Sequence, residues 1–361
     1  MADLISSLRD EIICYILSFL KSREVVATSV LSKRWNLLWR SVPSLDFDTD
    51  EYFSLLKRKK DIHTFYSSVC SFLAGRGDQP LYRFRLRCYF SMYILKSIRT
   101  RIQNAVSESD TVQILDLQCD PDIVIPSVVF SFRTLVTLKL EYITVEDISF
   151  VDLPLLKILH LDSINSPIEI DLSQLLSGCP NLEDLKVINV SHLACDTKGK
   201  FIRLPKLVRA SIGKFLLPLE IFKEVVVLKF HRIFQPHLDL NFDFHNLVQL
   251  QLIVILDWLL VLKVLNHCPK LQSLVIDISK KHGRCYEEDV WPYPQTVPTC
   301  ISSHLKICRL KYYSGSKDEF HFARYILENA KYLQTMKFNT LEEEINDMKR
   351  ELSSCMKISD T

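Results

Sequence analysis

Residues 135–161 read LVTLKLEYITVEDISFVDLPLLKILHL, and this stretch decides the fold class. It contains the pattern apolar-x-x-apolar-x-apolar twice, beginning at Leu135 and again at Leu156. The last two apolar positions of each copy alternate with polar residues, as in a strand that buries one face, and the segment between the copies turns the chain back. Two such units predict neighbouring parallel strands.

The same pattern recurs along most of the chain beyond residue 80. From Val112 to Leu271 its first positions lie 18–26 residues apart, close to the ~20–29 residues typical of leucine-rich repeats. Such an array is a curved α/β solenoid with a parallel sheet. The copies are Leu81-Phe84-Leu86, Val112-Leu115-Leu117, Leu135-Leu138-Leu140, Leu156-Leu159-Leu161, Leu182-Leu185-Val187, Leu207-Ala210-Ile212, Val225-Leu228-Phe230, Leu247-Leu250-Leu252, Leu271-Leu274-Ile276, Leu305-Cys308-Leu310 and Leu333-Met336-Phe338.

The repeats are irregular. Regular repeats place an asparagine eight residues after the first leucine, but this chain has apolar residues there, so its turns cannot share a buried asparagine ladder. Several repeats open with proline, which ends the preceding element. In the two Cys-Pro openings the cysteines, Cys179 and Cys268, are interpreted as small core residues. The apolar replacements are Ile143, Ile164, Val190, Phe215, Ile233 and Ile255.

The first 45 residues have a different, helical character. Residues 3–20, DLISSLRDEIICYILSFL, place apolar side chains at helical spacing from Ile12 to Leu20. Two further short helices are predicted, one after Ser22 and one carrying Trp35. Three short helices close only a small core, so this segment is expected to keep apolar surface for a partner.

Residues 8–47, LRDEIICYILSFLKSREVVATSVLSKRWNLLWRSVPSLDF, closely resemble the F-box of plant F-box proteins. The resemblance implies that residues 1–45 are an F-box that docks on a Skp-type adaptor and so on a cullin ubiquitin ligase. Where the family usually has proline, this chain has Arg9, a departure expected to weaken docking. The residues expected to contact the adaptor are Leu8, Ile12, Ile13, Ile16, Leu17, Leu20, Val30 and Trp35.

Residues 291–338 resemble the FBD module that often ends such plant proteins. The resemblance implies no activity. Within this segment, Ser316 and Glu319 form a candidate capping box at the start of an amphipathic helix. A strand-helix-strand cap on the solenoid is therefore predicted, within a third segment of residues 291–361 that follows a repeat region of residues 46–290.

Composition and motifs argue against several function classes. The formal net charge is +2, without the strong basic excess of a nucleic-acid-binding domain. The eleven cysteines contain no C-x-x-C pair and are interpreted as reduced thiols of an intracellular protein, nuclear or cytoplasmic. No catalytic or phosphate-binding motif occurs, so we expect no enzyme, metal or cofactor. The apolar stretch of residues 247–265 contains polar residues and alternates like a strand, which argues against a membrane span.

The residue between the last two apolar positions of each repeat is expected to point to the concave face. Six of these eleven residues are Lys or Arg. One interpretation is an ordinary solvated sheet face. The other is a docking stripe for an acidic or phosphorylated client segment, with Lys139, His160, Lys186 and Lys229 as its client-binding residues.

The predicted function is recruitment of a client protein to an SCF-type (Skp-cullin-F-box) ubiquitin ligase. The fold class expected is α/β: a three-helix F-box, an irregular leucine-rich repeat solenoid with parallel strands, and an FBD-like cap. The alternatives are a leucine-rich repeat binding protein that acts outside a ligase complex and an enzyme of unrecognised class.

Overall fold

The computed structural model describes residues 5, 7–50, 62–77, 79–88, 100, 104, 111–194, 203–213, 219–233, 240–254, 258–278, 291 and 294–339. These fall into two compact units, residues 1–204 and 205–361. Each unit is described by itself.

The first unit begins with three short α-helices, α1 (Asp10–Leu17), α2 (Ser22–Ala27) and α3 (Trp35–Leu38). Single 3-10 turns, Thr28–Val30 and Trp39–Ser41, follow α2 and α3. The three predicted helices are therefore confirmed, although each is short. We call residues 7–42 the helical module. Its small core consists of Ile13, Cys14, Leu17, Val25, Trp35, Leu38 and Val42.

Among the described residues of the first unit, six parallel strands that are neighbours in chain order form a sheet. They are β1 (Ser44–Asp48), β2 (Arg83–Arg87), β3 (Ile114–Gln118), β4 (Thr137–Glu141), β5 (Ile158–Asp162) and β6 (Asp184–Ile188). The predicted repeat leucines form the buried face: Leu138, Leu159 and Leu185 share one register and are fully buried. The parallel-strand prediction is confirmed.

Residues in the left-handed conformation follow three strands of the first unit. Tyr142, Ser163 and Asn189 each come directly after a strand, with φ of 53°, 54° and 51°. This conformation turns the chain sharply out of the sheet. The next residues, Ile143 and Ile164, are fully buried where a regular repeat has asparagine.

In the described connections that follow β3, the regular elements are short. They are the helix α5 (Leu172–Ser177), the 3-10 helix Ser127–Ser131 and two pairs of two-residue strands. The pairs are Val124–Ile125 with Thr144–Val145 and Ile170–Asp171 with Leu193–Ala194.

The helical module packs directly onto the sheet through β1 and the helix α4 (Ile62–Arg76). The Trp39 ring lies 4.9 Å from that of Phe72 on α4, measured between centroids. The buried Arg76 guanidinium donates hydrogen bonds to the carbonyls of Val42 and Pro80. Burial lowers the pKa of Arg76 to about 10, so it stays charged at neutral pH.

The second unit repeats the pattern of parallel strands joined by helices. Its parallel strands, again in chain order, are β7 (Arg209–Ile212), β8 (Val227–Ile233), β9 (Gln249–Val254), β10 (Ser273–Ile278), β11 (Ile307–Lys311) and β12 (Thr335–Asn339). Its helices are α6 (Trp258–Asn266), α7 (Thr299–Ser303) and α8 (Lys317–Asn329), with a 3-10 turn at Leu219–Phe222.

The apolar stretch of residues 247–265 becomes the strand β9 and the helix α6. Within the part of the chain that the structure describes, no helix has both the length and the apolarity to span a membrane. The strand-helix-strand order of the C-terminal segment is confirmed by β11, α8 and β12.

The predicted cap of α8 is present with one difference. Ser316 accepts a hydrogen bond from the backbone N–H of Glu319 at 3.4 Å, as a capping box requires. The Glu319 carboxylate, fully buried, instead accepts from the N–H groups of Ser314 and Gly315 and from the Ser314 hydroxyl. It therefore stabilises the turn that precedes the helix.

Candidate functional site

The helical module exposes an apolar surface along α1 and the turn that follows it. Ile12 and Ile16 lie one helical turn apart and are 40% and 44% exposed, and Leu20 beyond the helix end is 36% exposed. Tyr15 and Phe19 form an edge-to-face pair with centroids 5.0 Å apart and are both largely exposed. These five residues are called the α1 surface.

Further large apolar side chains are exposed on the rest of the module. They include Val30, which is 84% exposed, and Val26, Leu31 and Leu37. Isolated exposed apolar residues are normal on a protein surface, but nine within about 30 residues of one small module are characteristic of an interaction site.

Three of the residues predicted to contact an adaptor lie elsewhere. Ile13, Leu17 and Trp35 are buried in the core of the helical module, and their direct contact with an adaptor stays a prediction. Leu8 is half-buried against the same core. The physical reason is that one helix carries two apolar faces: residues 13 and 17 share the inner face, whereas residues 12 and 16 lie about 100° away. Ile12, Ile16, Leu20 and Val30 remain accessible.

The start of α1 is held by an arginine from the segment before α3. Arg34 donates to the Asp10 carboxylate at 2.5 Å and to the Leu8 carbonyl. Arg9 occupies the position before the helix in an extended conformation, and its carbonyl accepts from the N–H groups of Ile12 and Ile13. Arg9 is thus the N-cap residue of α1, but its side chain makes no capping hydrogen bond. The ion pair is exposed, so its contribution to stability is at most about 1 kcal/mol.

The second candidate surface is the strand face opposite the core. In the first unit, Lys139, His160 and Lys186 are in register on neighbouring strands, as the sequence predicted. Lys229 lies in the second unit, so the four predicted client-binding residues are divided between the units.

The strand face of the first unit carries acidic residues beside the basic ones, and the client-binding role of Lys139, His160 and Lys186 stays a prediction. Lys186 pairs with Asp162 at 2.6 Å, and His160 contacts Asp184 at 3.1 Å. Near the sheet edge, Arg85 contacts Asp46 at 2.8 Å. The described charges of this face are Asp46, Asp48, Asp116, Glu141, Asp162 and Asp184 against Arg83, Arg85, Arg87, Lys139 and Lys186.

The strand face of the second unit is different. Five cations lie on it, and Asp277 is its one carboxylate among the residues that the structure describes. Burial raises the pKa of Asp277, while Lys311 and Lys229 oppose that shift. The term basic strand face is used for these five cations: Arg209, Lys229, Arg309, Lys311 and Lys337.

Family models match three parts of the chain. A model described as F-box domain matches residues 5–47, LRR repeats of an FBD-associated F-box protein match residues 98–198, and FBD matches residues 293–338. The F-box/FBD/LRR-repeat protein At3g52680 of Arabidopsis thaliana is 30% identical, over 96% of this chain and 88% of the relative. The chain belongs to the F-box/FBD/leucine-rich repeat family.

Other plant relatives resemble the chain over different spans. The F-box/FBD/LRR-repeat protein At4g26340 of Arabidopsis thaliana is 27% identical over 98% of this chain and 97% of the relative. The F-box/LRR-repeat protein At4g14096 of the same plant is 38% identical, but over 58% of this chain and 45% of its own length. In general terms, an F-box supports binding of a Skp-type adaptor and a role as an SCF substrate adaptor.

The cysteines of this F-box protein are mainly buried where the structure describes them. Cys179 and Cys268, from the two Cys-Pro openings, are fully buried. Burial raises the pKa of the Cys179 thiol to about 12, and it does the same for Cys308. The thiolate that a nucleophile or a metal ligand needs is therefore strongly disfavoured at these positions. Among the described residues, no group of three or more His, Cys, Asp or Glu side chains could hold a metal ion.

Proposed function

We propose that this protein recruits a client to an SCF-type ubiquitin ligase, with the F-box holding a Skp-type adaptor and the repeat region holding the client. The observation that supports the proposal is the α1 surface, which keeps five large apolar side chains exposed beside a closed core. Binding of an adaptor would remove this surface from water.

The expected energy of that contact is substantial. Complete burial of a large apolar side chain contributes ~1.5–3 kcal/mol, and the side chains of the α1 surface are 36% to 71% exposed before binding. Partial burial of several such side chains is the usual source of hot-spot energy at an interface. In the proposed interface, Ile12, Ile16, Leu20 and Val30 are joined by Tyr15 and Phe19.

The test is co-purification of the full chain with a recombinant plant Skp-type adaptor. The double variant Ile16→Asp, Leu20→Asp places two carboxylates on the α1 surface, where unpaired buried charges are costly. We expect roughly a hundredfold or greater loss of affinity without loss of thermal stability, since both side chains are already substantially exposed.

The matched control is Phe150→Asp, which places a carboxylate at an apolar side chain of the repeat region that is 65% exposed. This variant should bind the adaptor as the parent does. Equal binding by the parent and by the double variant would refute the α1 surface as the adaptor site. Failure of the parent itself to bind any adaptor would favour the alternative, a repeat protein that acts outside a ligase.

A further inference from the structure

The strand face of the first unit consists largely of charged side chains that contact one another across neighbouring strands. On β1, β2, β3, β5 and β6, each charged residue of this face has such a contact within the unit. The pairs, with the distances between nitrogen and oxygen, are Arg83–Asp46 (3.3 Å), Arg85–Asp46 (2.8 Å), Arg85–Asp48 (3.4 Å), Arg87–Asp116 (3.4 Å), Lys186–Asp162 (2.6 Å) and His160–Asp184 (3.1 Å). A partner that approached these strands would have to displace an existing contact.

The strand β4 differs from the other five. Its two charged residues on this face are Lys139 and Glu141, which are both half-buried, and neither side chain has a hydrogen bond or an ion pair to a residue that the structure describes. Lys139 is in register beside Asp116, whose carboxylate contacts Arg87 instead. Glu141 is in register beside Asp162, which carries a charge of the same sign. One cation and one carboxylate on β4 therefore remain for an external partner.

The surroundings of Glu141 favour the approach of a cation. Burial raises the pKa of the Glu141 carboxyl, while the charge of Lys186 opposes this shift. A carboxylate that has lost part of its hydration without gaining a partner is stabilised more by a nearby cation than a fully hydrated carboxylate is. A basic side chain from a bound chain would therefore be stabilised opposite Glu141.

An apolar contact lies on the same face of β4, beyond Lys139. Thr137 precedes Lys139 by two residues and is in register between Ile114 on β3 and Ile158 on β5. Ile114 is 36% exposed, and Ile158 is half-buried. Residues two apart on a strand are separated by ~6.6 Å. Along β4 the face thus presents an apolar contact, a cation and a carboxylate at equal intervals.

We propose that an extended segment of the client lies along β4, with an apolar, an acidic and a basic side chain at alternate positions. The apolar side chain would contact Ile114 and Ile158, the acidic one Lys139 and the basic one Glu141. An extended segment repeats its side chains at the same ~6.6 Å interval, so five residues reach all three positions. Electrostatic complementarity favours this mixed pattern over a purely acidic one, which would place a carboxylate against Glu141. The inference rests on the proposed function in calling the bound protein a client.

The test uses the full chain and three fluorescein-labelled peptides. The mixed peptide has the core valine-threonine-glutamate-threonine-lysine, the acidic peptide replaces its lysine by glutamate, and the basic peptide replaces its glutamate by lysine. Fluorescence anisotropy at low salt gives the affinities. We expect the mixed peptide to bind about tenfold more tightly than the other two, because each of those places one charge opposite a like charge. Replacing the valine by serine should weaken binding several-fold.

Single charge reversals on β4 should change which peptide is preferred. Lys139→Glu should bind the basic peptide about tenfold more tightly than the mixed one, and Glu141→Lys should prefer the acidic peptide by a similar factor. The conservative exchange Lys139→Arg should keep the preference of the parent. Because each reversal is read as a gain of affinity for another peptide, partial unfolding of a variant cannot produce the expected result.

The matched controls reverse exposed charges of the second unit. Lys331→Glu and Glu220→Lys change the net charge by the same amounts as the two variants of β4, and both residues are exposed. Both controls should retain the preference for the mixed peptide. The same change of preference in a control would show that net charge, and not β4, selects the peptide.

Three other results would overturn the inference. They are equal affinity of the parent for the three peptides, an unchanged preference in both variants of β4, and tighter binding of the acidic peptide, or of one with phosphoserine in place of glutamate, by the parent. Adaptor co-purification with the same variants tests the proposed function separately. Loss of adaptor binding with the expected peptide preferences would contradict only the ligase assignment, whereas intact adaptor binding without those preferences would contradict only the site on β4.

Discussion

Replacing Leu250 by alanine tests whether the strand register of the second unit is correct. Leu250 is 1% exposed and lies in register between Leu228 and Leu274, both of which are also buried. Removing its branched end eliminates apolar contacts to both neighbours and leaves a cavity, which typically costs ~2–5 kcal/mol. For a compact unit of this size such a loss lowers the melting temperature by roughly 4–20 °C.

The matched control is the adjacent residue of the same strand. Gln251 points to the opposite face and is half-buried, so Gln251→Ala should change stability by less than about 1 kcal/mol. Thermal unfolding followed by circular dichroism compares the two variants. Hydrogen exchange should show that the damage from Leu250→Ala extends to β8 and β10, because each repeat is stabilised by its neighbours.

Equal stability of the parent and Leu250→Ala would refute the assignment of this leucine to the core. A loss in Gln251→Ala as large as the loss in Leu250→Ala would refute the assignment of the two residues to opposite faces. The second result would also remove the basis for the basic strand face, since that face is defined by the same alternation.

Three further predictions concern other parts of the chain. Gly178→Ala should destabilise the first unit by about 1–3 kcal/mol in urea unfolding, because a Cβ at that position would lie 2.4 Å from the Val151 carbonyl oxygen. Cys179 should resist alkylation at pH 8 in the folded protein and react after unfolding, as peptide mass spectrometry can show, since burial raises the pKa of its thiol to about 12. Asp277→Asn should stabilise the protein at neutral pH, because burial raises the pKa of the Asp277 carboxyl in the folded state and its ionised form is therefore disfavoured there. The difference between variant and parent should disappear as the pH falls below the unfolded-state value, where both states carry a protonated Asp277.

The repeat strands were predictable from the sequence because each contains two apolar residues separated by one residue, at a fixed distance after the first apolar position of the repeat. Every strand from β2 to β12 contains the predicted second and third apolar positions. The strand β1 also fits, since Val42, Leu45 and Phe47 follow the same spacing and are buried. These residues lie inside the segment that resembles an F-box, so the resemblance assigns most of β1 to the F-box and not to the repeats.

The sequence does not predict the helix α4, because two glycines lie at its C-terminal end. Gly75 and Gly77 suggest a turn, but only Gly77 has a left-handed φ, of 57°. Gly75 belongs to α4, and a Cβ there would lie 2.4 Å from the Trp39 ring. The glycine thus permits close packing of two elements, and the sequence alone does not show which tryptophan approaches it.

The charge of the strand faces could not be obtained from one residue per repeat. Because alternate residues share a face, a five-residue strand presents three side chains there, and the outer two decide the balance. In the first unit these outer positions include Asp48, Glu141, Asp162 and Asp184. In the second unit they include Arg209 and Lys311 instead.

The position of β1 has a consequence for how a ligase would hold its client. The F-box match ends at residue 47, inside the strand that begins the sheet of the first unit. The Ser22 hydroxyl of α2 accepts a hydrogen bond from the N–H of Asp46 in this strand at 2.8 Å, and Arg76 links α4 to the end of the helical module. Residues 7–50, which the structure describes without a gap, therefore join the α1 surface to β1 through packed contacts. In the proposed complex, these packed contacts would fix the direction in which the first unit extends from the adaptor. The effective concentration of the client at the ligase would then depend on this geometry rather than on the length of a linker.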